Sequence, residues 1–231
     1  IKMFRLGLDH ERIRQAETAD PGKVVVFHLD SITEALRNEF FPGMRGSHFI
    51  RDPRDLVISG THYHRRCDEE WCRREVHHLI HPQKLQLMAG SLAIPEPAPD
   101  EAYQDYLNRL TLEDSFIVEF FRMEAIFEGL TNWNYHDPQM LELRYEEIVG
   151  DEKACFTRLF RHYGFPRSWV RFGADLAERL SLQQRGIRSG HVRSGRTAQW
   201  REEFTPRMKE IFKEYRGELL IQLGYEKDHR W

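Results

Sequence analysis

A chain of 231 residues with 40% hydrophobic and 12% aromatic content can bury a core, which excludes a disordered tail or a low-complexity linker. A formal net charge of −3 excludes nucleic-acid binding through bulk positive charge, and no apolar run is long enough to span a bilayer. Three cysteines do not make a disulfide framework, so a reducing, cytoplasmic setting with no leader peptide is expected.

Residues 8–18 (LDHERIRQAET) scatter apolar positions among charges and read as a surface helix, and the Pro-Gly of ADPGK turns the chain. KVVVFHL, 23–29, is a continuous β-branched run expected to form a strand buried on both faces. A helix then opens on Asp30 or Ser31, with Glu34 placed for a capping box. GSHFI, 46–50, is the second strand, and Pro53 opens a helix in whose first turn its missing N–H is harmless. AGSLAIPEPAPDE, 89–101, carries three prolines and is expected to be a loop or lid. From Glu113, one helix presents Phe116, Ile117, Phe120, Met123, Ile126 and Phe127 on a broad face that reads as core, with Gly129 near its C-cap. MLELRY, 140–145, is the third strand. CFTRLFRHYG is a helix stopped by Gly164 with Pro166 beyond it, and residues 206–226 form an amphipathic C-terminal helix. Strands alternating with helices point to one α/β domain over residues 1–231, built on a parallel sheet with helices on both sides.

Two segments suit an anion. Arg51 stands where a strand ends and a helix begins, and Ser59 lies about two turns into that helix. A guanidinium offers a planar fork for phosphate oxygens and a serine adds a donor, at the strand end where α/β sheets bind ligands. The structural alternative is that Arg51 pairs with Asp52 or Asp55 and Ser59 is a buried helix serine. Between Arg179 and Arg201, six arginines with no acidic residue are interleaved with Gly186, Gly190 and Gly195, a composition that can form a basic anion nest. It can equally form a basic surface loop or an RNA-contacting arm. His62, His64, Cys67, Cys72, His77, His78 and His81 cluster in sequence. His77 and His81 would share a helical face, but Cys67 and Cys72, five apart, would diverge by about 140° on a helix. That spacing matches no zinc pattern, and no metal site is expected.

With these residues in view, IRDPRDLVISGTHYH resembles the 3′-phosphate-binding segment of sulfotransferases that use 3′-phosphoadenosine 5′-phosphosulfate. It has the form Arg-x-Pro-x-Asp-x-x-x-Ser, and Arg51 and Ser59 match its two phosphate contacts. HVRSGRTAQWREEFTP is similar to the family's later arginine-glycine segment, where Arg193, Ser194 and Gly195 match residues that wrap the same phosphate and Trp200 would brace the loop. ELRYEEIVGDEKACFTRLFRHYGFP resembles the strand-Tyr-Glu-helix segment, with Tyr145 on an adenine contact, and LLIQLGYEKD resembles the usual ending. The resemblance implies a three-layer α/β/α fold related to the P-loop nucleotide kinases. It implies sulfuryl transfer to a hydroxyl or amine of a small-molecule or glycan acceptor, without metal and without nucleic acid. His28 falls close to the family's catalytic histidine and would be the base, with Asp30 the alternative. Val26 stands where the family carries a lysine, and the Pro-Lys-x-Gly-Thr-Thr loop for the 5′-phosphosulfate is not among these residues; as the chain opens on Ile-Lys-Met, that loop is expected upstream. The segment after Tyr63 and loop 89–101 are expected to shape the acceptor pocket; neither the acceptor nor the oligomeric state is legible. The rivals are a P-loop kinase relative, which needs a Gly-x-x-x-x-Gly-Lys-Ser/Thr loop, and a non-catalytic protein that holds RNA or another polyanion.

Overall fold

The β-branched and aromatic run around Val25 favours extended chain. The computed structural model, which describes residues 2–5, 25–28, 45–181, 184 and 195–231, places a strand there. Strand β1 (Lys2–Arg5) pairs in parallel with β2 (Val25–His28), in the register Lys2↔Val25 through Arg5↔His28. The strand expected at 23–29 is present over four residues, and its partner is the opening segment, where the sequence raised no expectation. The helix read at 8–18, the turn after it and the helix opened by Asp30 or Ser31 lie outside the described residues.

The chain divides into two compact units, Ile1–Ser47 with Asn134–Leu141, and His48–Trp133 with Glu142–Trp231. Strands β3 (Gly46–Ile50) and β4 (Met140–Arg144) form a second two-stranded sheet, so the described residues are mixed α/β and mostly helical. Across it, His48 Nδ1 lies 2.9 Å from Glu142 Oε2, and the Trp133 indole donates to the same carboxylate over 2.8 Å while its ring lies 4.2 Å from that of His48. Tyr145, expected in the strand, instead opens the short helix that follows it.

Helix α1 (Pro53–His64) starts as expected: Pro53 occupies its first turn, and the Asp52 side chain accepts from the Arg54 N–H as N-cap. After two short 3₁₀ turns come α2 (Pro82–Leu92), α3 (Tyr103–Arg109), α4 (Leu112–Arg122) and α5 (Glu124–Thr131). Helix α2 runs into the segment read as a loop and stops only at Ala93, in the left-handed region at φ 53°. The loop that follows is held down, since the Tyr106 hydroxyl donates to Pro95 O over 2.8 Å and Arg109 grips Glu101. The single helix expected from Glu113 breaks at Met123. Phe116, Ile117, Phe120, Met123 and Phe127 are core as expected, but the break turns Ile126 outward and leaves Gly129 inside α5. Beyond β4 lie α6 (Tyr145–Ile148), α7 (Glu152–His162), α8 (Arg167–Arg179), α9 (Trp200–Glu203) and α10 (Pro206–Gln222). The sequence reading passed over α8, which starts directly after Pro166. No helix among the described residues is long and apolar enough to cross a membrane.

Helix α1 packs closely on α4 because position 60 is glycine: a Cβ there would stand 2.5 Å from Glu119 Oε1 and 2.6 Å from Met123 Cε. Glu119 is wholly buried and fully partnered. Its carboxylate accepts from Arg122 (2.5 and 3.1 Å), from His64 Nδ1 (3.1 Å) and from the Tyr103 hydroxyl. Burial alone would raise its pKa; the His64 hydrogen bond and the Arg122 charge outweigh burial and bring the carboxyl down to about 2. The folded pKa lies below the ordinary 4.5, so the charge stabilises the fold fully above pH 4.5 and less as the pH falls toward 2. Glu119→Gln should lower stability at pH 7 by about 3–5 kcal/mol, the range for breaking a buried pair. It should also flatten the loss of stability below pH 4.5, as read by urea unfolding across pH; a slope equal to the parent's would exclude Glu119 as the titrating group.

Candidate functional site

The sequence Arg51-Asp52-Pro53-Arg54-Asp55 carries four charges across a strand-to-helix junction, and the fold gives each a separate task. Arg54 is turned inward and is 1% exposed. Its guanidinium takes both oxygens of Asp52 (Nε 3.0 Å, Nη2 2.7 Å) and reaches Glu226 Oε1 over 2.5 Å. It lies between two indoles, 3.6 Å from the centre of Trp200 and 4.6 Å from that of Trp231. The N–H of Asp52 donates to Glu146 Oε1 over 2.9 Å, and Glu146 Oε2 accepts from the Tyr225 hydroxyl over 2.8 Å. These contacts join the end of β3, the start of α1, the Tyr145-Glu146 turn and the C-terminal tail.

Asp55 faces the other way and is wholly buried. Its Oδ1 accepts the backbone N–H of Trp200 over 3.0 Å. Burial is the main cause that raises its pKa, against hydrogen bonds from the Trp200 and Ala198 backbone. Ala198 is in the left-handed region at φ 57°, as is Gly195 at φ 62°, the latter at no steric cost. One turn beyond Ser59, His62 Nε2 meets Glu203 Oε2 of α9 at 2.6 Å. Segment 195–203 is therefore strapped to α1 at two points, and the half-buried Ser59 lies between them on the helix.

Arg51 sits at the focus. Its guanidinium stands over the Tyr145 ring at 4.5 Å, and its Nη2 donates to Arg196 O over 3.3 Å with Asp55 Oδ2 at 4.0 Å. Its Nε is buried with no hydrogen-bond partner among the described residues. A buried charged donor left over in this way is costly unless something accepts from it, and an anionic oxygen at that position would do so.

The structure thus brings Arg51, Tyr145 and the 195–200 segment into contact and places Ser59 on the strapped face of α1. The Trp200 ring lies against the Arg54 guanidinium. His28 is the last residue of β2, opposite Arg5, and its side chain lies outside the described residues, as do Asp30, Arg193 and Ser194. The sequence reading missed Asp55 as the strap and Arg54 as the buried hub. Asp55 had a signal, being the aspartate of the Arg-x-Pro-x-Asp pattern; Arg54 had none.

The histidine-cysteine segment departs from its expectation. Helix α1 ends at His64, so Cys67 and Cys72 are not on one helix but are folded together, Sγ to Sγ at 2.6 Å. His77 and His81 share no helical face either: His77 lies in a 3₁₀ turn beside Glu75, while His81 caps α2 by accepting from the Gln83 N–H. Glu75, His77 and His78 do converge, but on the surface.

Arg54→Met should lower stability by about 3–5 kcal/mol, since it leaves Asp52 and Glu226 facing each other without their cation. Urea unfolding of the two proteins at pH 7 measures this, and a loss under 1 kcal/mol would mean that the tail and the indoles hold without Arg54.

The family model described as Sulfotransferase domain matches residues 47–224. Among solved structures, the chain is similar to the mouse sulfotransferase SULT7A1 complexed with PAP, at 16% sequence identity and a TM-score of 0.44, over 85% of this chain and 64% of that one. The chain therefore spans slightly under two thirds of that structure's length. No curated protein matches it by sequence. The family match takes in β3, α1, the Tyr145 turn and the 195–203 segment, the elements that meet around Arg51, and the chain belongs to the sulfotransferase domain family.

Proposed function

We propose that the chain transfers a sulfuryl group from 3′-phosphoadenosine 5′-phosphosulfate to a hydroxyl or amine of a small-molecule or glycan acceptor, with residues 1–231 as one catalytic domain, no metal and no nucleic-acid partner. The observation that carries this reading is the unpartnered, buried Arg51 Nε at the meeting of the two segments that resemble the family's 3′-phosphate contacts. When bound, the co-substrate supplies the activated sulfuryl group and leaves as adenosine 3′,5′-bisphosphate.

In this reading each residue named from the sequence has a task. Arg51 and Ser59 grip the 3′-phosphate from the strand end and from α1, while Arg193, Ser194 and Gly195 close over it. Tyr145 lies against the Arg51 guanidinium, so one ring would both orient the adenine and fix the phosphate-binding arginine. Trp200 and Asp55 hold the closing loop in register, by stacking and by the backbone hydrogen bond. His28 takes the proton of the attacking hydroxyl or amine as the acceptor's bond to sulfur forms and the bond from sulfur to the 5′-phosphate oxygen breaks; Asp30 is the alternative base. Positioning and charge neutralisation at the leaving phosphate supply the rest of the rate.

Titration calorimetry with adenosine 3′,5′-bisphosphate, set against the 5′-monophosphate, tests the donor site. The bisphosphate should bind more tightly, and Arg51→Ala should weaken it about 10- to 100-fold, about 1–3 kcal/mol for a charged hydrogen-bond partner. Equal, weak binding of both nucleotides, or an unchanged affinity in the variant, would remove the reading and leave Arg51 serving another anion.

A further inference from the structure

The segment after α1 brings together two thiols to which the proposed sulfuryl transfer gives no task. The chain leaves the helix at Arg65, and a 3₁₀ turn over Glu70–Arg73 brings Cys72 back onto Cys67, with the two Sγ atoms 2.6 Å apart. Both thiols are buried, Cys67 at 6% exposed and Cys72 at 0%.

Side chains hold the turn in this shape. Glu69, inside it, accepts from the Tyr63 hydroxyl over 2.7 Å and from the Trp71 indole. Gln104 donates from one amide nitrogen to the carbonyls of His64 (3.0 Å) and Cys67 (2.7 Å). Trp71 stacks on Tyr103 and meets the His64 ring edge-on at 4.7 Å. The sulfurs are therefore presented to each other by a turn that is fixed at both ends.

We propose that Cys67 and Cys72 are a modification site, a vicinal dithiol that a low-molecular-weight disulfide oxidises to an intramolecular disulfide. The proposal does not rest on the sulfotransferase reading. Cys67, the more exposed of the two, attacks one sulfur of the reagent RSSR, releasing one thiol RSH and leaving Cys67 as a mixed disulfide. Cys72 then displaces the second RS group at Cys67, its proton leaving with the second RSH. Overall two thiols are oxidised, one RSSR is reduced and two RSH are formed. Burial pushes the Cys72 thiol pKa up, which makes it a poor first attacker and suits the order of the steps. The closed ring would lock Trp71 against His64 and Tyr103, beside the Glu119 cluster.

Oxidised glutathione is the probe. The native chain is incubated with it, acid-quenched, unfolded and alkylated, and its cysteine peptides are weighed. In the reduced chain all three cysteines alkylate. After oxidation only Cys155 should, with the single peptide that carries Cys67 and Cys72 unalkylated and two hydrogens lighter than its dithiol mass. The thermal midpoint of the oxidised parent should lie about 4–8 °C above that of the reduced form, the scale for closing a loop of this length in a chain of this size. Cys72→Ser, which cannot complete the second step, should stop at glutathione on Cys67 and show no such rise. Three alkylated cysteines after oxidation, a lasting glutathione adduct on the parent, or pairing with Cys155 would each overturn the proposal.

Discussion

The junction between β3 and α1 depends on one buried cation. Taking a guanidinium out of water costs several kcal/mol, and Arg54 does so with 1% of its surface exposed. What makes the position tolerable is the full set of partners: two oxygens of Asp52, one of Glu226, and an indole on each face. Those partners come from the strand-helix junction, the C-terminal tail, α9 and the last residue of the chain. A hydrophobic contact would tolerate many slightly shifted arrangements, whereas a forked, sandwiched guanidinium tolerates few. The stability gained from such a group is small against its desolvation, but the register it imposes is narrow.

That register is what Arg51 inherits. Arg51 and Arg54 flank the same Asp-Pro step; with Arg54 pinned inward, Arg51 is left at the rim, over Tyr145 and under the Arg196 carbonyl. Tyr145 is placed by the same hub, because its neighbour Glu146 accepts the Asp52 N–H. The 195–203 segment arrives by a second route, through Asp55 and His62. Three stretches far apart in sequence thus converge on Arg51 through side chains other than its own.

This explains what could be read in advance. The strand–proline–helix grammar around Arg51 is local: a short strand closing on Phe49 and Ile50, an Asp cap and a Pro in the first turn fix the junction within a few residues, and Arg51, Ser59, Tyr145 and Trp200 could be named from it and from a family pattern. Arg54 could not, because its partners Trp200, Glu226 and Trp231 lie far along the chain and a guanidinium in a charged run looks solvated. Cys67 and Cys72 escape a sequence pattern for the opposite reason. The helix stops at His64, so the helical period that would separate them by about 140° does not apply, and the chain folds the two sulfurs together. Helix α2 outlasted its expectation because its stop at Ala93 uses a left-handed residue that is not glycine.

Helix α1 shows why the charge networks on its two faces are both needed. Arg51, Asp55, Ser59 and His62 recur at spacings of four and three and fall along one face, where segment 195–203 is strapped. Val57, Gly60, Thr61 and His64 fall along the opposite face, where Gly60 admits Glu119 and His64 bonds to it. A slip of one residue would rotate the helix by about 100° and unpair both sides at once. With apolar contacts alone on either face, such a roll would cost only imperfect packing. With Asp55 and His62 on one side and His64 on the other, it would strand buried charge, and it is this penalty that keeps the Arg51–Ser59 face turned toward segment 195–203.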